Sequence, residues 1–478
     1  MPISGQCFTS SHESNRTKIN QIIILGAGIS GLSAAWKFSE NNYKVEIIEA
    51  HSDIGGLAGT FKQGPYRLDY GPHSFHTENK EILGAVLGLF DHQLKPRPRV
   101  SKFYYNGKLL DYPITAQNVL LNMGLRSGFM AVMSYLNGKF VNGRRFIYKK
   151  ELTVEEWAKS NYGEYLYKTF FKPYTEQFWK IPCHELSIQS IPAHTRLSFS
   201  RTLRALFLNK VLSLKGSVVD RELLPTYYPE TGYGEISGRI YKHIKENVNL
   251  HLNSHVVSVS QCANGRMRVL YQCLGEIRSA EGDYVVSTMP ITNLISTITP
   301  SPPQAILDAS HHLGFRALII LGMITRKQNV LKCQYLYMLH RPYNRIYEMN
   351  MFSPKTSPEQ ENIVAVEIPC KVDSQIWQSS KEEIFNMCIG SLKKDGILSF
   401  EEVTDTMLLK APHAYPIYYK NYDRYLSTIK DYLKGFKSLA ILGRSGEYLY
   451  MDIDKCMARA FNLVDTFCAH KQSFSEIT

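Results

Sequence analysis

The stretch that decides the fold is Gln21–Glu49, QIIILGAGISGLSAAWKFSENNYKVEIIE. QIIIL has the β-branched composition of a buried parallel strand. Gly26, Gly28 and Gly31 follow with G-x-G-x-x-G spacing, then LSAAWKFSE with its apolar residues on one helical face, then a second strand, KVEII, ending at Glu49. In such a unit the first glycine permits the tight turn and the second lets a pyrophosphate approach the backbone. The third lets the helix lie close on the strand, and the helix N-terminus faces the phosphates. Glu49 stands 18 residues after Gly31, where a carboxylate accepts hydrogen bonds from a ribose diol and repels a 2′-phosphate, which argues against NADP. The glycine triplet alone is a weak signal. With strand, helix, second strand and acid at the right distances, it predicts a Rossmann-like dinucleotide-binding domain in an α/β chain. NAD and FAD both fit the fingerprint.

A second glycine cluster, Gly55, Gly56 and Gly59 in DIGGLAGTF, follows at once, and then a strand at Tyr66–Asp69. This arrangement resembles the flavin amine oxidase superfamily, whose G-G-x-x-x-T segment reads here Gly55-Gly56-Leu57-Ala58-Gly59-Thr60. The resemblance implies that these residues run under the FAD diphosphate towards the isoalloxazine, so FAD is the expected cofactor. Further motifs narrow the branch. Gly71-Pro72-His73-Ser74-Phe75-His76-Thr77 resembles the G-P-H-x-F-H-T segment of UDP-galactopyranose mutases, with relatives in protoporphyrinogen-oxidase-like flavoproteins of bacterial glycan gene clusters. Asn106-Gly107-Lys108 with Tyr112-Pro113-Ile114, FKPYTEQFW at Phe171 to Trp179, and Pro342 to Ile346 leading into Phe352-Ser353-Pro354 match the mutases in the same order. Gly443 to Asp454 resembles their closing G-R-x-G-x-Y-x-Y-x-D-x-D. The likeness spans roughly residues 20 to 468. Extra sequence lies around Arg196 to Glu222 and Cys262 to Gly282, and both Tyr228 to Ile236 and Asp283 to Pro290 look more like the oxidase-like branch.

The resemblance implies roles for particular residues. Gly443, Arg444 and Asp452 close the flavin site, with Asp452 at the start of the last helix, whose dipole can stabilise negative charge on a reduced flavin. Val256 offers backbone contacts to adenine, or is plain core. Arg345 clamps a substrate diphosphate through its planar fork, with Arg196 as a second partner. Glu367 and Tyr415 fall where the mutases place polar pocket residues; Glu367 is either a buried acid–base group or a solvent-facing strand residue. His73 and His76 either lie near the flavin ring or form a structural, hydrogen-bonded pair. They are not a metal site, because no further ligand accompanies them at suitable spacing. Tyr174 and Trp179 line a sugar pocket or pack in the core, and Tyr228 is placed on the substrate side.

The family pattern implies a discontinuous architecture: a leader at 1–19 expected to be disordered, a cofactor domain from 20–100, 220–295 and 400–470, and an inserted α+β substrate domain from 101–219 and 296–399. The second insert carries strand-like runs, RALIILGMI and NIVAVEIP, that suggest a sheet roofing the flavin. Lys plus Arg number 55 against 43 acidic residues, a formal charge of +12 that favours anionic partners. The cations are scattered and no nucleic-acid fold signature accompanies them, which excludes that class. Nine cysteines, none in a Cys-x-x-Cys pair, read as mostly reduced, buried thiols. The leader lacks an apolar signal core, and the longest apolar stretch, Val119 to Leu136, is broken by Asn122 and Arg126. It reads as a buried helix, or as a peripheral membrane contact. A cytoplasmic location is expected.

Three functions compete. The first is an FAD-dependent oxidoreductase that passes hydride from a diphosphate-bearing, glycan-precursor-type substrate to flavin N5. The second is a non-redox sugar mutase in which reduced flavin attacks the anomeric carbon. The third is a flavin-bound scaffold without turnover. The oxidase-like segments tip the sequence reading towards the first.

Overall fold

The computed structural model describes residues 20–105, 107–111, 125–138, 151–191 and 224–475. Arg196, the expected leader at 1–19 and the Tyr112-Pro113-Ile114 motif lie outside the described residues. Strand β1 (Gln21–Leu25), helix α1 (Ile29–Glu40) and strand β2 (Lys44–Ile48) form the anticipated unit. A five-stranded parallel sheet is built on it, in the order Leu439–Ile441, Tyr284–Ser287, β1, β2, Val248–His251. Four of its strands thus end at one edge on Leu25, Ile48, Ser287 and Ile441, and ligands of open parallel sheets bind at that edge. α1 buries Leu32, Ala35, Trp36 and Phe38 and packs on the final helix, Ile453–Ser475. Widely separated segments therefore share one core.

A seven-stranded sheet follows the order Val403–Ile417, Gly314–Thr325, Asn362–Cys370, Arg345–Glu348, Tyr335–Met338, Ser101–Tyr105, Lys108–Asp111. Only the Tyr335–Met338/Ser101–Tyr105 pairing is parallel. Its central strands are apolar without alternation because both faces are covered. Ile319, Leu321, Val364 and Val366 pack against Ile384, Cys388 and Leu392 of helix Lys381–Lys394. Ile320, Ile324, Ile363 and Ala365 pack instead into the core that holds α1. Each of the Val, Leu and Ile side chains contributes about 1.5–3 kcal/mol on burial, so the sheet is fixed over the cofactor unit by its apolar pattern.

Two expectations change here. Val403–Ile417, grouped with the cofactor segments by the boundary at 400, pairs along its length with Gly314–Thr325 and belongs to the seven-stranded sheet. The stretch Val119 to Leu136, read as a buried helix or as a peripheral membrane contact, includes helix Leu125–Asn137, which exposes Phe129, Met130 and Met133 and so is not a fully buried helix. Its Gly138 end is held against Gly163, where a methyl on Gly138 would lie 2.9 Å from the Gly163 backbone. Among the described residues no helix is long and apolar enough to cross a membrane, and eight cysteines are free thiols, six of them buried.

Candidate active site

A cavity of about 1200 Å³ runs from the carboxyl edge of the five-stranded sheet to the seven-stranded sheet. At its first end Gly28 forms a bridge with Gly55, and Gly55 N donates to Ala27 O at 2.8 Å, so the two glycine turns lie side by side. Gly31 is not on the wall: a methyl there would stand 2.0 Å from Gly26 O, so glycine is required for α1 to meet its own turn. Glu49 accepts from Ala27 N at 2.6 Å and His51 N at 2.9 Å. A carboxylate has about four lone-pair sites, so acceptor capacity remains for a ribose diol. The start of α1 has no side-chain cap and no acid in its first turn, which leaves its amides for an anion. A methyl on Gly28 would meet nothing nearer than 4.0 Å. These features fit a dinucleotide: Gly28, Gly55, Gly56 and Gly59 would cradle the diphosphate, Glu49 the ribose, and Ser254 to Val256, also on the wall, the adenine.

Thr60 and Asp69 fasten this end to the segment Tyr228 to Gly234. Asp69 accepts from Thr60 Oγ1 (2.5 Å), Tyr228 OH (2.6 Å) and Tyr233 N (3.1 Å), while Gly234 N donates to Thr60 Oγ1 at 2.7 Å. Burial pushes the Asp69 carboxyl up to about 6, against the pull of its donors. Tyr228, expected on the substrate side, is buried behind the wall by this bond; Tyr233 lines the cavity instead.

At the far end His73, His76, Tyr174, Trp179, Arg345, Tyr415, Arg444 and Asp452 all line the cavity. Arg345 donates through Nε and Nη2 to Glu367, the latter at 2.9 Å, and Nη2 reaches Tyr415 OH at 3.3 Å. Glu367 is 1% exposed in a strand buried throughout, not solvent-facing, and does not line the cavity. Its carboxyl is raised by burial against the pull of Arg345. Arg444 lies 4.7 Å from the ring centre of Tyr450 and 5.3 Å from that of Tyr415, two nearly parallel rings 5.8 Å apart. Its guanidinium also donates to Met451 O (3.0 and 2.8 Å) and Ala414 O (3.3 Å). Burial, then Arg444 and Arg345, lower His73 to about 3 against the pull of Asp452; it is a neutral imidazole whose buried Nδ1 has no hydrogen-bond partner among the described residues. His76 Nδ1 lies 3.2 Å from Ser74 O. Asp452 directly precedes the final helix.

The sequence reading missed part of the wall. Tyr162, Leu166, Phe170, Phe171 and Phe178 line the cavity beside Tyr174 and Trp179, and Tyr162 stacks on Phe171 at 4.4 Å. The aromatic density of NYGEYLYKTFFKPYTEQFW was the available signal. Tyr450 sat inside the quoted closing motif, whereas Lys410 and His413 had no motif to mark them. Among the described residues no group of three or more His, Cys, Asp or Glu is arranged to hold a metal.

A parallel Rossmann sheet with paired glycine turns, closed by an arginine-bearing turn from the far end of the chain, defines a dinucleotide-binding flavoprotein. Residues 29–433 match the family described as flavin containing amine oxidoreductase; the chain belongs to this family, and its cofactor is FAD. Escherichia coli dTDP-fucopyranose mutase is 28% identical over 180 residues, covering 35% of this chain and 44% of the mutase. L-amino-acid oxidase from Crotalus adamanteus is 24% identical over 310 residues, 59% of this chain and 54% of the oxidase. The chain thus matches only about half the length of these relatives. A crystal structure of reduced UDP-galactopyranose mutase superimposes with a TM-score of 0.77 at 17% identity, covering 94% of this chain and 96% of that one, a likeness of fold.

Proposed function

We propose that the protein is an FAD-dependent enzyme that rearranges the ring of an anionic, diphosphate-bearing sugar without net redox. The observation that carries this reading is the make-up of the far end: the half-buried guanidinium groups of Arg345 and Arg444 line the cavity beside a neutral His73, with Asp452 on the same wall. The two guanidinium forks suit an anionic, planar-oxygen group better than an amine, and Arg444 already lies against the rings of both Tyr415 and Tyr450. Bound FAD supplies a nucleophile when reduced and a two-electron acceptor when oxidised. Oxidising an alcohol would also ask the protein for a base. His73 is a weak one, Glu367 is locked on Arg345, and Asp69 is turned away among its donors. The aromatic wall from Tyr162 to Trp179 suits stacking of a sugar or base, while Arg345 holds the diphosphate and Tyr415 OH steadies the guanidinium. The similarity to a dTDP-fucopyranose mutase supports the same substrate class.

The second reading is the oxidoreductase expected from the sequence. It is favoured by the family match over residues 29–433 and by the longer alignment with an L-amino-acid oxidase. One assay separates the two. Holoprotein reduced with dithionite is mixed with UDP-galactopyranose and with dTDP-fucopyranose. Furanose product formed only with reduced flavin, at constant flavin absorbance, is the expected result. Stoichiometric bleaching of oxidised flavin by a sugar would instead establish the oxidoreductase.

A further inference from the structure

Resting on the reading of Arg345 as the diphosphate holder, we infer that capture of a diphosphate by this residue is coupled to uptake of one proton by Glu367. Arg345 lines the cavity and Glu367 does not. The arginine therefore stands between the ligand space and a carboxyl group that is 1% exposed. Nε and Nη2 are turned towards Glu367 and Tyr415; among the described residues Nη1 has no hydrogen-bond partner, which leaves it to the ligand.

The groups facing Glu367 from the neighbouring elements are few; helix Lys172–Trp179, which also packs on its strand, brings the phenol of Tyr174 to the Arg345 side. Strand Arg345–Glu348 supplies Arg345 and the neutral phenol of Tyr347. The loop after Asp69 supplies Gly71, where a methyl would stand 2.6 Å from Glu367 Oε1 and 3.6 Å from Nε2 of neutral His73. Strand Gly314–Thr325 presents Ile320 opposite it, and Tyr415 on strand Val403–Ile417 reaches it only through Arg345. Arg345 is therefore the one cation compensating this carboxylate among the described residues. A diphosphate oxygen at Nη1 would make two anions share one guanidinium in a dry site, where one of them is driven to neutralise. In a sugar-nucleotide diphosphate both phosphates are diesterified and are stronger acids than a carboxyl group, so the proton, drawn from solvent, goes to Glu367. Burial already pushes this carboxyl up against the pull of its partner.

The test is titration calorimetry of the oxidised holoprotein with UDP-galactopyranose, and in parallel with symmetrical dimethyl pyrophosphate, neither of which titrates near neutral pH through its phosphates, in buffers of different ionisation enthalpy. About one proton taken up per ligand is expected, with affinity falling roughly tenfold per pH unit above the free-state midpoint of Glu367. E367Q should bind with no uptake and a flat pH profile; if it does not retain flavin, E367D serves, with its pH midpoint displaced. Binding without buffer dependence in the wild type, or with unchanged uptake in E367Q, overturns the coupling. Dimethyl pyrophosphate binding with uptake while UDP-galactopyranose fails to bind would keep the coupling and discard the sugar-nucleotide reading. Failure of both ligands to bind overturns both.

Discussion

Gly443 rests directly on Ser30: a methyl added to Gly443 would stand 2.4 Å from Ser30 Oγ and 2.8 Å from its Cβ. The first turn of α1 and the arginine-bearing turn near the far end of the chain are thus in contact. The approach has two requirements, a residue without Cβ and a backbone φ of +84°. Gly443→Ala breaks both at once. Strain and overpacking of this kind cost about 1–3 kcal/mol each, and the relief available is to push the turns apart. FAD is then expected to bind at least tenfold more weakly, measured by equilibrium dialysis with flavin fluorescence. An unchanged affinity would mean that these turns do not hold the cofactor jointly.

Arg444 makes three bonds to backbone carbonyls and lies against two phenol rings. A lysine keeps the charge but cannot serve Met451 O and Ala414 O with one fork. Arg444→Lys is expected to lose about 1–2 kcal/mol of stability in the apoprotein, read from urea denaturation. A larger loss in the holoprotein would mark contact with the flavin; equal losses would make Arg444 a packing residue alone.

The cofactor half of the site was legible because its chemistry depends on backbone spacing. Gly26, Gly28, Gly31 and Glu49 do their work at fixed distances along one β–α–β unit. The substrate half depends on which strand lies beside which, and spacing does not carry that. Glu367 reads as either buried or exposed until Arg345–Glu348 is paired beside Asn362–Cys370, which sets Arg345 opposite Glu367. Tyr228 and Tyr233 lie in one short segment; the carboxylate of Asp69, far away in sequence, decides that Tyr228 turns inward while Tyr233 meets the cavity. Val403–Ile417 was misgrouped for the same reason, since its partner is Gly314–Thr325.

Asp69 gives a pH signature of its own. Its carboxyl is raised by burial from 3.8 to about 6 in the folded protein. Between those values the native state binds more protons than the unfolded chain, so this group's contribution to stability falls as pH rises through the window. Asp69→Asn removes the term but also gives Thr60, Tyr228 and Tyr233 N an amide in place of a full acceptor. The variant should be destabilised at every pH, and its deficit relative to the wild type should shrink between pH 4 and pH 6 and stay constant above. Thermal unfolding at half-unit pH steps measures this. A deficit that grows over the interval would mean that Asp69 is ionised more readily in the fold than in the unfolded chain.

His73 works in the opposite direction over nearly the same interval. Burial, Arg444 and Arg345 lower it from 6.5 to about 3, so the native state binds fewer protons than the unfolded chain in that window. Stability from this group is fully present above pH 6.5 and is lost as pH falls towards 3. The wild-type profile between pH 4 and 6 therefore contains two slopes of opposite sign, each limited to about 1.4 kcal/mol per pH unit, and a flat curve would not mean that neither group titrates. His73→Gln, which keeps a polar group of similar reach, separates them. The stability gap between wild type and variant should narrow by up to about 1.4 kcal/mol for each pH unit as pH falls from 6 to 4. Imidazole nitrogen shifts of the wild type should stay those of a neutral ring throughout. A ring that protonates near pH 6 would mean that burial and the two guanidinium groups together do not depress it, and the neutral His73 used in the anionic-substrate reading would be lost.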